Sequence, residues 1–131
     1  MRTVLVVDDE YGVAEVLEAL LQDEGYRVVT AINGRQGLDR AIETPPDLIL
    51  LDVMMPIMGG AAMLEALRAH PALGQVPVVL MSSLDEAAVR ESCHGYRAFL
   101  RKPFRMAEVL VLLERLLPPD ALALPEVPGG A

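Results

Sequence analysis

Polar residues follow short apolar runs at several points of this 131-residue sequence, and their types suggest phosphate chemistry. Asp8 and Asp9 follow one such run, Asp52 follows another, and two more end in Ser82 and Lys102. Carboxylate oxygens are the ligands that Mg²⁺ prefers, and an ammonium group binds phosphate as a point charge. Phosphoryl transfer to a carboxylate needs mainly positioning and charge neutralisation. These residue types therefore predict a magnesium-assisted reaction in which Asp52 attacks a phosphoryl group.

Each of these residues also has a purely structural interpretation. Asp8 or Asp9 could cap a helix, and Asp52 or Ser82 could form a turn or a cap. The combination favours a site, because three neighbouring carboxylates repel one another and raise their pKa values unless a cation neutralises them. Lys102 is the only lysine in a sequence that otherwise uses arginine for positive charge. A single compact ammonium retained at this point favours phosphate binding over a solvated surface position.

The elements that must position these residues alternate regularly along the chain. Continuous apolar runs predict buried strands over residues 3–7, 26–31, 48–51, 76–81 and 98–101. Helices are predicted between and after them, and this alternation specifies a parallel sheet covered on both faces. Ligands of such sheets bind beyond the carboxyl ends of the strands, so the five polar residues are expected to converge on one edge.

Apolar stripes at helical spacing predict which side chains face the core. The expected inward positions of the first two helices are Val13, Val16, Leu17, Leu20, Leu21, Leu38, Ala41 and Ile42. The third helix contributes Met63, Leu64 and Leu67, whereas the fourth, over residues 85–93, is short and weakly patterned. The last helix carries Val111 and Leu112 beyond its core stripe, which favours a partner surface there.

Composition limits the class of protein. A hydrophobic content of 53% is ample for one core, so residues 1–117 are predicted to form one domain. Residues 118–131 are rich in proline and glycine and are expected to be a disordered tail or linker. Every apolar run is shorter than the roughly 20 residues of a membrane span, so we expect a soluble protein without membrane contact. Cys93 is the only cysteine, which fits a reducing cytoplasm, and the net charge of −8 argues against direct nucleic-acid binding.

Four segments carry a resemblance to a known family, and in chain order they are Val6-Val7-Asp8-Asp9-Glu10, Leu50-Leu51-Asp52-Val53-Met54-Met55-Pro56-Ile57-Met58, Val79-Leu80-Met81-Ser82-Ser83 and Lys102-Pro103-Phe104. Together they resemble the signatures of response-regulator receiver domains of two-component signal transduction, in particular the single-domain type typified by chemotaxis regulators. The similarity runs from about Thr3 to about Leu117. It implies a flavodoxin-like, doubly wound α/β fold with five parallel strands in the order 2-1-3-4-5 and five helices.

The resemblance also implies a role for each matching residue. Asp52 corresponds to the phosphoacceptor, and Asp8 and Asp9 correspond to the acidic pair that holds Mg²⁺, with Asp9 the more direct ligand. Met54 stands where the family supplies a backbone carbonyl to the metal. No further cofactor is implied.

Four residues match the family's switch and its surroundings. Ser82 corresponds to the switch hydroxyl that bonds the phosphoryl group, and Lys102 to the lysine that pairs with it. Phe99 stands at the position of a switch aromatic that turns inward on activation, although it lacks the hydroxyl of the commoner tyrosine. Pro103 corresponds to a proline whose preceding peptide bond is usually cis.

Two departures from the family pattern affect the loops. Gly59 stands where the family often has an acid before a glycine, here Gly60, which is expected to loosen the loop beside Asp52. The stretch between Ser82 and Lys102 is slightly shorter than usual, and Cys93-His94-Gly95 replaces a turn of small residues. The fourth helix is therefore expected to be short or mobile.

The implied function is a signalling switch rather than an enzyme acting on external substrates. A sensor histidine kinase or phosphotransfer protein would supply the phosphoryl group, catalysis being limited to self-phosphorylation and slow self-dephosphorylation. A downstream protein would bind the fourth helix, fifth strand and fifth helix, with the receiver monomeric or dimerising on phosphorylation.

Other interpretations remain open. Met1 just before the first strand favours a stand-alone receiver, with a receiver cut from a longer regulator as the alternative. A phosphorylation-independent binding module is a further alternative. A phosphatase is disfavoured because Met54 occupies the place of the general acid, and a flavin site because carboxylates make a poor phosphate cradle without metal.

Overall fold

The structure, a computed structural model, describes residues 1–117, so the predicted tail over residues 118–131 lies outside the described part. Within it, strands and helices alternate as predicted. In chain order the elements are β1 (Thr3–Val7), α1 (Tyr11–Asp23), β2 (Arg27–Ala31), α2 (Gly34–Glu43), β3 (Leu48–Asp52), α3 (Gly60–Ala69), β4 (Val78–Ser82), α4 (Glu86–Val89), β5 (Ala98–Arg101) and α5 (Met106–Leu116). Each helix of residues 1–117 is too short or too polar to span a bilayer.

The five strands form one parallel sheet in the order β2-β1-β3-β4-β5, which confirms the predicted topology. The three inner strands β1, β3 and β4 are buried along their whole length. Helices cover both faces of these strands, which is why their sequences are continuous apolar runs rather than alternating patterns. The inner strands therefore hold the site residues at their carboxyl ends on a rigid base.

A separate apolar core lies on each face of the sheet, because successive strand residues point to opposite sides. Leu5 and Val7 face one core together with side chains of α2, α3 and α4. Val4 and Val6 face the other core, which α1 and α5 complete. The two cores together explain the doubly wound arrangement.

Two predicted core residues are on the surface instead. Val16 of α1 is 51% exposed and Ile42 of α2 is 48% exposed. The buried face of α1 is centred on Ala14 and Leu17, and Val16 lies about 200° around the helix from Ala14, so it points away from the sheet. Ile42 is turned by about 100° from the buried Ala41. An apolar side chain at helical spacing was thus insufficient to place either residue in the core.

The fourth helix is shorter than the predicted range of residues 85–93. Only Glu86–Val89 is helical, and the amides of Ser92 and Cys93 then bond to the Val89 carbonyl in a turn. Residues 92–94 are weak helix formers, and Gly95 has a positive φ of 82° that L side chains rarely adopt. The predicted extent was therefore wrong at the carboxyl end.

Candidate functional site

The carboxyl edge of the sheet brings the predicted polar residues together. Asp8 follows β1 and is fully buried, while Asp52 ends β3 and is 5% exposed. Ser82 is the last residue of β4, and Lys102 directly follows β5. Neighbouring parallel strands end at a common edge, so the sheet register sets the spacing of these side chains. The predicted convergence is confirmed.

Three carboxylates form the acidic end of this site. Oxygen atoms of Asp8, Asp9 and Asp52 lie within 4.8 Å of one another, with Asp8 and Asp52 buried and Asp9 exposed. The Oδ1 atom of Asp8 accepts a hydrogen bond from the Glu10 amide at 2.9 Å, which fixes the orientation of that carboxylate. Hard oxygen donors clustered at this spacing fit a divalent cation such as Mg²⁺.

Lys102 connects the acidic residues. Its Nζ lies 2.8 Å from Asp8 Oδ2, 3.0 Å from Glu10 Oε1 and 3.3 Å from Asp52 Oδ1. Burial of the ammonium lowers its pKa, but hydrogen bonds to Asp8 and Glu10 and the charge of Asp52 outweigh this effect and raise the pKa above its usual value. Lys102 is therefore a permanent cation beside the Asp52 carboxylate.

The Asp52 carboxyl group is hard to ionise in the metal-free protein. Burial raises its pKa to about 7, and the charges of Asp8 and Asp9 add to the rise, while Lys102 opposes it. Burial and neighbouring anions both disfavour the carboxylate form. Repulsion among the acids was predicted, but burial is the larger cause. A cation bound between these oxygens would favour the ionised form.

The remaining predicted site residues surround this cluster. The Ser82 hydroxyl oxygen accepts the Leu84 amide at 3.0 Å, so its own proton is free to be donated. Met54 lines the cleft that contains Asp52, with 67% of the residue exposed. Phe99 is half-buried and packs against the core on the α3 face. The peptide bond before Pro103 is cis, as the family pattern implies.

Glu10 was not predicted as a site residue, although its carboxylate pairs with Lys102. The sequence contained a signal, because Glu10 is the third acid in a row after β1. A third acid beyond a strand is more often solvated in the first turn of a helix, and 62% of the Glu10 side chain is indeed exposed. Its ion pair depends on Lys102, which is 92 residues away in sequence.

The loop between β3 and α3 carries a strained residue beside the site. Ile57 has a φ of 70°, and the Met58 amide bonds to the Pro56 carbonyl across it at 2.8 Å. This tight turn is unfavourable for a β-branched residue. The Gly34 amide donates to the Met58 carbonyl and holds the loop from the side of α2.

A cleft of about 530 Å³ opens from the acceptor towards α1 and the β5–α5 connection. Its inner end is polar and includes Asp52, Ser82 and Lys102. The rest of its wall is largely apolar, formed by Gly12, Val13, Val16, Met54, Pro103, Phe104 and Met106, with Glu10 and Ser83 as its polar members.

Comparison with known proteins agrees with this geometry. The sequence model of the family described as "Response regulator receiver domain" matches residues 4–114. The transcriptional regulatory protein PrrA of Mycobacterium leprae is 40% identical over 118 residues, which cover 87% of this chain and 49% of PrrA. The chain thus spans about half the length of the curated relatives it matches.

Solved structures of separate receivers are similar over their full length. The chemotaxis protein CheY4 of Vibrio cholerae aligns with a TM-score of 0.84 at 32% identity, covering 89% of this chain and 99% of CheY4. The response regulator TrrA of Thermotoga maritima, in complex with Mg²⁺ and BeF, aligns with a TM-score of 0.81 at 29% identity, covering 89% of this chain and all (100%) of TrrA.

Proposed function

The chain belongs to the response regulator receiver domain family, and on this premise we propose that it is a phosphorylation-activated switch whose acceptor is Asp52. The observation that carries the proposal is the contact of one partly buried lysine with the acidic cluster. Lys102 Nζ lies 3.3 Å from Asp52 Oδ1 and 2.8 Å from Asp8 Oδ2. Phosphoryl transfer requires a positioned nucleophile and neutralisation of charge. Asp52 is such a nucleophile, and Lys102 and the neighbouring oxygen ligands provide for the charge.

Mg²⁺ is the cofactor that the oxygen donors fit best. Asp8, Asp9 and Asp52 would hold it with their carboxylates, and Met54 with its backbone carbonyl. When bound, the ion supplies positive charge that neutralises the phosphoryl oxygens. The complex of the related TrrA with Mg²⁺ supports this choice.

The protein's own groups would carry the rest of the reaction. The Asp52 carboxylate attacks phosphorus in line, the bond between phosphorus and the donor atom breaks, and its electron pair leaves with the donor. Lys102 neutralises charge on the phosphoryl oxygens and remains paired with the phosphoryl group after the transfer. The Ser82 hydroxyl, which accepts the Leu84 amide in the resting state, donates its proton to a phosphoryl oxygen. Turning the hydroxyl towards Asp52 would draw the β4–α4 loop inward and allow Phe99 to follow.

Signal input and output would then be protein contacts. A sensor histidine kinase or phosphotransfer protein supplies the phosphoryl group, and a downstream protein binds the surface of α4, β5 and α5. Val111 on α5 is 50% exposed and belongs to this surface. We further propose a cytoplasmic protein that catalyses only its own phosphorylation and slow dephosphorylation.

A second possibility is that the receiver is one part of a longer regulator. The match to about half of PrrA favours it, because PrrA is named a transcriptional regulatory protein. In that case the output would include contact with a further domain, while the chemistry at Asp52 would be unchanged.

Incubation with acetyl phosphate, with and without Mg²⁺, tests the proposal directly. Intact mass should show a single added phosphoryl group that requires Mg²⁺ and is absent from Asp52→Asn. Asp39→Asn, which changes an exposed aspartate of α2, serves as the control and should retain the adduct. An adduct that persists in Asp52→Asn would mean that another residue is the acceptor. Absence of an adduct from the unmodified protein, even with a panel of histidine kinases, would favour a phosphorylation-independent binding module.

A further inference from the structure

The apolar part of the cleft continues directly from the acceptor. Asp52, Ser82 and Lys102 form the inner end of the same 530 Å³ space whose wall includes Val16, Phe104 and Met106. The apolar wall lies beside the carboxylate that is proposed to accept a phosphoryl group. This arrangement suits a ligand with a phosphate at one end and a hydrocarbon group at the other.

Two features show that this part of the cleft is open. Val16 is 51% exposed, although its spacing on α1 predicts a core residue. A Cβ atom added to Gly12 would meet nothing within 4 Å, so that part of the α1 surface faces empty space. The apolar residue at position 16 thus contributes to a cleft wall rather than to the sheet contact.

The reaction at Asp52 restricts which small phosphates could react. The product, an aspartyl phosphate, is a mixed anhydride, so an efficient donor must have a comparable phosphoryl-transfer potential. Ordinary phosphate esters are too stable. Acyl phosphates are mixed anhydrides themselves, and their exchange with Asp52 is close to balanced in energy.

Acyl phosphates as a donor class belong to the proposed function of Asp52; we propose that among them the receiver prefers acyl chains longer than acetyl, because the chain lies against the apolar wall at Val16. The inference rests on the proposed function of Asp52. In the transfer, an Asp52 carboxylate oxygen forms a bond to phosphorus and the bond between phosphorus and the acyl oxygen breaks. The electron pair of that bond leaves with the fatty-acid carboxylate, and no oxidant or reductant is required.

The expected preference follows from the burial of methylene groups. A fully buried methylene changes a rate constant about fourfold. Butyryl phosphate has two methylenes more than acetyl phosphate, and the wall leaves one side of the chain open to water. We therefore expect the second-order rate constant for butyryl phosphate to exceed that for acetyl phosphate about fivefold.

The experiment compares the two donors at equal, subsaturating concentration with Mg²⁺ present. Initial rates of adduct formation are followed by intact mass and corrected for spontaneous hydrolysis of each donor. Val16→Ser should bring the butyryl-to-acetyl ratio close to one, and Gly12→Leu, which fills the open space, should lower it as well. Ile42→Ser is the control, because Ile42 is 48% exposed on α2 and lies outside the cleft.

The outcomes distinguish failure of the chain-length preference from failure of the proposed function of Asp52. A raised ratio that falls in Val16→Ser but not in Ile42→Ser supports the inference. Equal rates for the two donors, or a raised ratio that Val16→Ser leaves unchanged, overturn it while the role of Asp52 stands. Failure of both donors and of histidine kinases to form an adduct overturns the proposed function itself.

Discussion

The carboxyl edge of the sheet and the region around α4 are built in different ways. We call the first the acceptor edge, because it contains Asp52, the proposed acceptor. At the acceptor edge, Asp8 and Asp52 are buried at the ends of inner strands, and the register of the sheet sets their separation. The α4 region is a four-residue helix that buries Val89 in the core and makes its remaining contacts through side chains on the surface. Asp85 pairs with Arg101 at 2.6 Å, and the Tyr96 hydroxyl donates to Glu86 at 2.9 Å.

The difference separates a rigid reaction site from an adjustable surface. A four-residue helix is unstable on its own, and exposed ion pairs contribute about 0–1 kcal/mol each. The surface contacts of α4 can therefore rearrange at small cost, whereas the acceptor edge moves only if the sheet is disrupted. Three residues separate Ser82 from Glu86, the first residue of α4, so movement of the Ser82 hydroxyl, the proposed switch, would reach the start of this short helix directly.

The largest expected effect comes from crowding the acceptor edge with Gly60→Ala. A Cβ at Gly60 would lie 2.5 Å from the Asp52 carbonyl oxygen and 2.9 Å from Val53 Cα, so backbone atoms must shift. We expect a loss of about 3 kcal/mol in the free energy of unfolding. Urea denaturation followed by circular dichroism measures it.

Gly12→Ala is the matched control, because a Cβ there meets nothing within 4 Å and alanine favours the helix. It should stabilise the protein by about 0.5 kcal/mol. Equal effects of the two substitutions would show that the acceptor edge is less rigid than the contrast requires.

The same contrast explains what the sequence could predict. Buried strands were readable because a strand covered on both faces is a continuous apolar run, and their carboxyl ends located Asp8, Asp52 and Lys102. The ion pair of Glu10 depends on where Lys102 lies in space, which no local pattern records. The exposure of Val16 and Ile42 depends on how each helix is rotated against the sheet. The carboxyl end of α4 depends on the turn that follows it, in which the amides of Ser92 and Cys93 bond to the Val89 carbonyl.

The raised pKa of Asp52 should make the metal-free protein less stable as the pH rises. The folded-state pKa of Asp52 is raised to about 7 from 3.8, so between these values the folded protein holds a proton that the unfolded chain has released. The free energy of unfolding then falls with rising pH, by on the order of 1 kcal/mol per unit, and this contribution levels off above about pH 7.

Asp52→Asn removes this titration and provides the comparison. In EDTA, the stability difference between wild type and Asp52→Asn should shift in favour of the mutant from pH 4 to pH 7 and then stay constant. Urea denaturation at each pH measures the difference, and the ¹³Cγ shift of Asp52 gives the pKa itself. If this stability difference did not change with pH, Lys102 would fully offset the effect of burial on the pKa of Asp52.

Arg68 links α3 to the α3–β4 connection and to the turn before β5. Its guanidinium donates to the carbonyls of Gly95, Gly74 and Val76 at 2.6–3.1 Å. Burial, with the nearby charge of Arg97, lowers the pKa of Arg68 from its usual value. Arg68→Met should cost about 2 kcal/mol in unfolding free energy, because three carbonyls lose a charged donor. Arg35→Met, at an exposed position on α2, should change stability by less than about 0.5 kcal/mol.

The smallest effect is expected from Tyr96→Phe, which removes only the hydroxyl that donates to Glu86. The ring stays packed against the core, so global stability should fall by only about 0.5 kcal/mol. Amides of α4 such as that of Arg90, which bonds to the Glu86 carbonyl, should exchange with solvent about two- to fivefold faster. The amides of β3 should be protected as in the wild type apart from the small global change. Hydrogen exchange read by mass spectrometry distinguishes the two regions, and equal acceleration in α4 and β3 would contradict the view that α4 is held separately by its side chains.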